Sequence, residues 1–218
     1  MPPIQFGFLM VPYQTIDAAA PADILSCCSK ELVKDLEAFG IPGTAGLTEK
    51  AIDIEFHHIN ETMEPVGLTA GVRVLPTTTL AECPELDYLL VGGPDVTTYT
   101  LPDSFATFVR NHVEAGKGLF TTCTGALAIS PSKVLDGKNA TTNHGVVDFA
   151  MQVSPNVKWT KEKRWVIDGK LWTAGGAMAG MDMMAYWVMQ NYGKELAKVA
   201  FTALDYAPRD VDGNPVLL

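Results

Sequence analysis

Metal-binding and disulfide patterns are both missing from this 218-residue chain. Its four histidines and four cysteines form no Cys-x-x-Cys, no His-x-x-x-His and no carboxylate-histidine cluster at ligand spacing. A structural zinc module is thereby excluded, and no metal is expected. Cys27 and Cys28 are neighbours that cannot readily bridge each other, and with Cys83 and Cys123 they make no disulfide framework, which points to a reducing, cytoplasmic setting. Basic residues are few: Lys and Arg number 16 against 25 Asp and Glu, a net charge of −9. No basic cluster follows a phosphate backbone or an anionic lipid surface, so nucleic acid and membrane partners are not expected. No window reaches 18 uninterrupted apolar residues, and Met1-Pro2-Pro3-Ile4-Gln5 lacks the basic stretch and apolar run of an export leader. Internal repeats and low-complexity blocks are absent too.

What is present is a globular composition, 47% hydrophobic and 19% charged, enough to bury a sizeable core. Ile4 to Val11 is almost wholly apolar, as in a strand buried on both faces of a parallel sheet. Leu25, Cys28, Leu32, Leu36 and Phe39 recur at helical spacing and predict a helix over Pro21 to Phe39, stopped by Gly40 and Pro42. Further strands are expected at Ile52 to Ile59, Val72 to Leu75, Leu86 to Val91 and Leu119 to Thr122, with a helical turn at Thr79 to Cys83. Helices are expected at Pro102 to Glu114, Thr124 to Ile129, Ala177 to Tyr192 and Lys194 to Leu204. Arg164 to Ile167 and Lys170 to Thr173 flank Asp168-Gly169, a two-residue hairpin signal. The alternation predicts one doubly wound, flavodoxin-like α/β domain over residues 1–206, its mostly parallel sheet flanked by helices and extended by an antiparallel hairpin, with an irregular tail at 207–218.

Candidate chemistry gathers at the carboxyl ends of these strands. Cys123 stands where a strand turns at once into a helix, a nucleophile elbow in which the helix N-terminus favours thiolate over thiol. The plain alternative is a small buried residue. Asp17 precedes Ala18-Ala19-Ala20-Pro21 and reads either as a first-turn helix residue or as a carboxyl that burial and a neighbouring thiolate turn into a proton donor. Gly92-Gly93 reads as a tight turn, or as a backbone N–H that with the N–H of Thr124 makes a two-donor pocket for developing negative charge. His144 either opens a helix or assists Cys123.

Together Asp17-x-x-x-Pro21, Gly92-Gly93-Pro94, Thr122-Cys123-Thr124-Gly125, Ala140-Thr141-Thr142 and the run from Thr173 to Asp182 resemble the ThiJ/PfpI superfamily of the class I glutamine amidotransferase-like fold. Asp after the first strand, Cys-Thr-Gly at the elbow and Gly-Gly-x-x-Ala-Gly-x-Asp before the long helix are similar to its isonitrile-hydrating branch. The resemblance implies Cys123 as nucleophile, Asp17 as acid/base and Thr124 as a binding neighbour. It also implies Gly93, or Gly92, as a second donor, and a homodimer. The superfamily commonly carries Thr-Thr-His; here Asn143 holds that place and His144 is displaced by one, so a Cys-His pair is not assumed, and Asn143 and His144 are expected with Gly92 and Gly93 among the oxyanion or substrate-binding residues. The implied activity is cofactor-free hydration of a small isonitrile to an N-substituted formamide. A glyoxalase or deglycase acting on α-oxoaldehydes, or a cysteine redox sensor, are the alternatives.

Overall fold

The computed structural model describes residues 2–217. In chain order the elements are β1 (Ile4–Leu9), α1 (Thr15–Cys27), α2 (Lys30–Ala38), β2 (Ile54–Asn60), β3 (Val66–Gly67), β4 (Arg73–Val74), β5 (Thr78–Thr79), β6 (Tyr88–Val91) and α3 (Asp103–Glu114). There follow β7 (Gly118–Thr121), α4 (Gly125–Ile129), β8 (Asn139–Ala140), α5 (Val147–Val153), β9 (Lys158–Trp159), β10 (Trp165–Asp168), β11 (Leu171–Ala174), α6 (Ala177–Tyr192) and α7 (Lys194–Ala203).

Seven strands form the main sheet in the order β10-β11-β7-β6-β1-β2-β5, all parallel except β10, which pairs antiparallel with β11. This is the doubly wound α/β sheet with its appended hairpin. The central strands are apolar because both faces are covered: Phe6, Phe8 and Leu9 of β1, Leu89 and Leu90 of β6, and Leu119 and Phe120 of β7 are all fully buried. From β1 the chain steps outward to β2, and from β6 it steps the opposite way to β7. Right-handed crossovers therefore place α1 and α3 on opposite faces. α1 packs against α6 and α7. The reversal falls between β1 and β6, so their carboxyl ends, with that of β7, frame a crevice at the topological switch point.

Three local expectations are corrected. The helical pattern from Pro21 to Phe39 is carried by two helices, because Ser29 leaves helical geometry, accepts Leu32 N–H at 3.3 Å as the cap of α2 and bridges to Ile52. Thr79 belongs to the edge strand β5, and the turn after it closes by Cys83 N–H on the Thr79 carbonyl at 2.9 Å. The short strand expected at Val72 to Leu75 is present as Arg73–Val74, paired with Val66–Gly67 in a small hairpin outside the main sheet. The β10-β11 turn is Gly169-Lys170 rather than Asp168-Gly169, since Asp168 pairs with Leu171 and its carboxylate accepts Asn139 N–H at 2.9 Å. No helix of the described residues is long and apolar enough to cross a membrane.

Candidate active site

β7 ends at Thr121, and Cys123 follows with φ of 55°, the left-handed region that costs a side-chain-bearing residue roughly 1–2 kcal/mol. That strain persists because the neighbours determine the backbone. Thr122 N–H donates to the Val91 carbonyl at 3.0 Å, and the Cys123 carbonyl accepts both Asn143 N–H and the Thr142 hydroxyl at 3.0 Å. The outcome is an elbow whose side chain stands above the carboxyl ends of β6 and β7, 9% exposed.

Asp17 reaches the same crevice from the first turn of α1 and is fully buried. Pro21 lies four residues on, inside the helix, and has no N–H to give the Asp17 carbonyl. The Thr122 hydroxyl fills that place at 2.9 Å. A proline in α1 thus frees the backbone acceptor that ties Asp17 to the residue before Cys123. The sequence marks Thr122 only as part of the elbow motif and assigns it no role, although Pro21 is the signal that the carbonyl needs another donor.

The Asp17 carboxyl is held asymmetrically. Oδ2 accepts Gly93 N–H at 2.9 Å, while Oδ1 is buried without a hydrogen-bond partner among the described groups. Burial pushes its pKa from 3.8 up to about 6, opposed by the Gly93 amide and by the Cys123 thiol. The thiol lies close enough to interact with the carboxyl, yet no hydrogen bond of ordinary geometry closes on Oδ1. Cys123 is itself pushed up, first by burial and then by the Asp17 charge, against donors from Asn143 and Thr124. The expectation of a favoured thiolate is corrected: burial and the facing carboxyl push the Cys123 thiol up, and α4 is only five residues long. At rest the pair is a thiol beside a carboxyl that titrates near pH 6.

The expected two-donor pocket is corrected as well. Gly93 N–H is already given to Asp17, so its part is to orient the carboxyl. A Cβ at Gly93 would stand 2.4 Å from Thr124 Oγ1 and 2.5 Å from Thr124 N, which explains why no side chain fits there. Gly92 is packed under Tyr13. Thr124 flanks the sulfur with its N–H, and its hydroxyl donates to the Pro94 carbonyl at 2.6 Å. Asn143 Nδ2 reaches the Cys123 sulfur at 3.4 Å. His144 faces elsewhere: its Nε2 bonds the Lys163 carbonyl at 3.2 Å. Of the other histidines, His57 bonds Gln5, His58 stacks on Phe8 and His112 bonds the Gly118 carbonyl. No described group of three or more His, Cys, Asp or Glu side chains could hold a metal ion. A cavity of about 550 Å³ lined by Tyr88, Lys117, Trp172 and Trp187 sits at the amino ends of the strands, away from Asp17, Gly93 and Cys123.

Similarity to known proteins covers most of the chain. An isonitrile hydratase of Pseudomonas putida is 29% identical over 208 residues, 94% of this chain and 79% of that one. The HTH-type transcriptional regulator GbdR of Pseudomonas aeruginosa is 23% identical over 142 residues, 65% of this chain and 38% of the regulator. Among solved structures, a ThiJ/PfpI family protein from Pseudomonas syringae superposes with a TM-score of 0.73 at 21% identity, covering 96% of this chain and 78% of that one. The sequence profile of the DJ-1/PfpI family matches residues 24–190, and with a match of that extent the chain belongs to the DJ-1/PfpI family.

Proposed function

We propose that this protein is a cofactor-free hydro-lyase that adds water to an isonitrile, R–N≡C, giving the N-substituted formamide. The observation that carries the reading is the Asp17-Cys123 pair: a strained, partly desolvated thiol facing a carboxyl with one oxygen fixed by Gly93 and the other unpartnered. The terminal carbon of an isonitrile must gain a proton and a nucleophile. Asp17, ionised above about pH 6, takes the thiol proton through Oδ1 and delivers it to that carbon while the sulfur attacks the same atom. The S–H bond breaks, C–H and C–S bonds form, and a thioimidate results. Water then adds to the C=N carbon as Asp17 accepts one of its protons and passes it to nitrogen. Collapse breaks the C–S bond, the sulfur regains the proton from the new hydroxyl, and the formamide leaves.

Two further features support this reading. No histidine is available to Cys123 as a base, and the chemistry needs only one proton carrier. Gly93 is committed to Asp17 rather than to an oxyanion, and this route passes through no obligatory oxyanion. Similarity to the P. putida hydratase over 94% of the chain is consistent with it. A small-molecule substrate, a homodimer and a cytoplasmic setting belong to the same proposal. The test is a panel of alkyl isonitriles, methylglyoxal and small esters, assayed with the intact protein, Cys123→Ala and Asp17→Asn. Isonitrile turnover abolished by both substitutions is expected; turnover of methylglyoxal alone favours the glyoxalase instead.

A further inference from the structure

Asp182 is an acidic side chain only 3% exposed that the proposed chemistry does not use. It is satisfied from three directions: by the Arg164 guanidinium, by the Tyr206 hydroxyl and by Arg209 N–H at 2.9 Å. Tyr206 and Arg209 follow α7, and the same stretch holds the 163–164 segment twice more. The Val211 carbonyl accepts Arg164 N–H at 3.0 Å, and Asp212 pairs with the Lys163 ammonium. The segment before β10 is therefore clamped between α6 and the tail.

That clamped segment presents two carbonyls to Gly175 and His144. The Arg164 carbonyl accepts Gly175 N–H at 2.8 Å, and the Lys163 carbonyl meets His144 Nε2 at 3.2 Å. A carbonyl can only accept, so Nε2 carries a proton in this contact. The ring lies against Gly175, where a Cβ would come within 2.5 Å of Nε2. Immediately before His144 is Asn143, whose Oδ1 accepts Gly145 N–H at 3.0 Å, leaving Nδ2 aimed at the Cys123 sulfur.

We propose that His144 is a positioning residue, seated in the notch at Gly175 and bonded to the clamped Lys163 carbonyl so that the Asn143 amide stays on the Cys123 sulfur. The displaced histidine then acts on the nucleophile through its neighbour, not by proton transfer. The Asn143 donor favours the thiolate, the form that must exist during attack; Asp17 is the charged group facing the sulfur. The inference rests on the reading above only in taking Cys123 as the reacting group.

The experiment is the pH dependence of iodoacetamide alkylation at Cys123, followed by peptide mapping on the full chain, for His144→Ala, His144→Gln, Asn143→Ala and the double variant His144→Ala/Asn143→Ala. His144 is exposed, and its variants are expected to fold; far-UV circular dichroism checks this. Loss of the Asn143 donor and loss of its anchor are each expected to raise the alkylation midpoint by about half to one pH unit. The double variant should go no further than Asn143→Ala alone, and His144→Gln, with an amide N–H for Lys163, should stay near wild type. A wild-type profile in His144→Ala, or shifts that add in the double variant, overturns the proposal. Because alkylation reads the sulfur directly, an absence of isonitrile turnover alongside the expected profile would remove the hydratase reading and leave the positioning role standing.

Discussion

Burying Asp17 while raising its pKa from 3.8 to about 6 makes the folded state hold that proton more tightly than the unfolded chain does. Stability from this group is therefore greatest below the unfolded pKa, declines as pH rises toward 6, and stays reduced above it. Asp17→Asn, which keeps an oxygen for Gly93 N–H, should stabilise the fold above pH 6 by on the order of 3 kcal/mol, and thermal melts should show the gain vanish near pH 4. The same substitution should cost about 10²- to 10⁴-fold in kcat/KM, and the wild-type kcat/KM should rise through pH 6. A variant both more stable and inactive would mark Asp17 as a group kept for chemistry. At this scale the convergence of the proposed site was legible: Cys123 at a strand-to-helix junction and Asp17 after the first strand could be placed at one end of the sheet from their positions. The protonation state of the thiol and the commitment of the Gly93 amide were not, since both depend on burial and aim across residues 76 or more positions apart.

The elements deliver these side chains through their irregularities. Pro21 inside α1 leaves the Asp17 carbonyl to the Thr122 hydroxyl, so α1 is coupled to the elbow by a bond that a regular helix would have used internally. Thr122→Val should destabilise by about 1–3 kcal/mol, the cost of a buried unsatisfied acceptor. Pro21→Ala in that background should recover part of it by restoring an N–H four residues along. Chemical denaturation of the two single variants and the double variant measures the coupling, and simple additivity would show the two positions to be independent. The break before α2 follows the same logic, and Ser29→Ala should cost about 1 kcal/mol through loss of the cap, visible as a lowered urea midpoint. Apolar spacing alone did not disclose this break because Leu25, Cys28, Leu32 and Leu36 keep helical intervals across it; only the capping role of Ser29 distinguishes two helices from one.

For the molecule as a whole, the order of strands brings the chemistry together. β1, β6 and β7 are adjacent and parallel, and the chain reverses direction between the first two, so residues 17, 93 and 123 converge at one edge of the sheet. The alternation of apolar strands and helices made that architecture readable in advance. The anchoring of the tail was not readable, because Tyr206, Arg209 and Val211 gain their meaning only from the distant Asp182 and Arg164. Asp182→Ala strands those partners and should cost roughly 3–5 kcal/mol, seen as a lowered melting temperature. The covalent route itself is tested most directly by quenched-flow mass spectrometry during turnover of an alkyl isonitrile, with peptide mapping and product measured in the same samples. The expected result is an adduct of the full isonitrile mass on Cys123, formed ahead of formamide release and absent, with the product, from Cys123→Ala. Formamide produced at the wild-type rate by Cys123→Ala, or an adduct carried by Cys27, Cys28 or Cys83 instead, would contradict it.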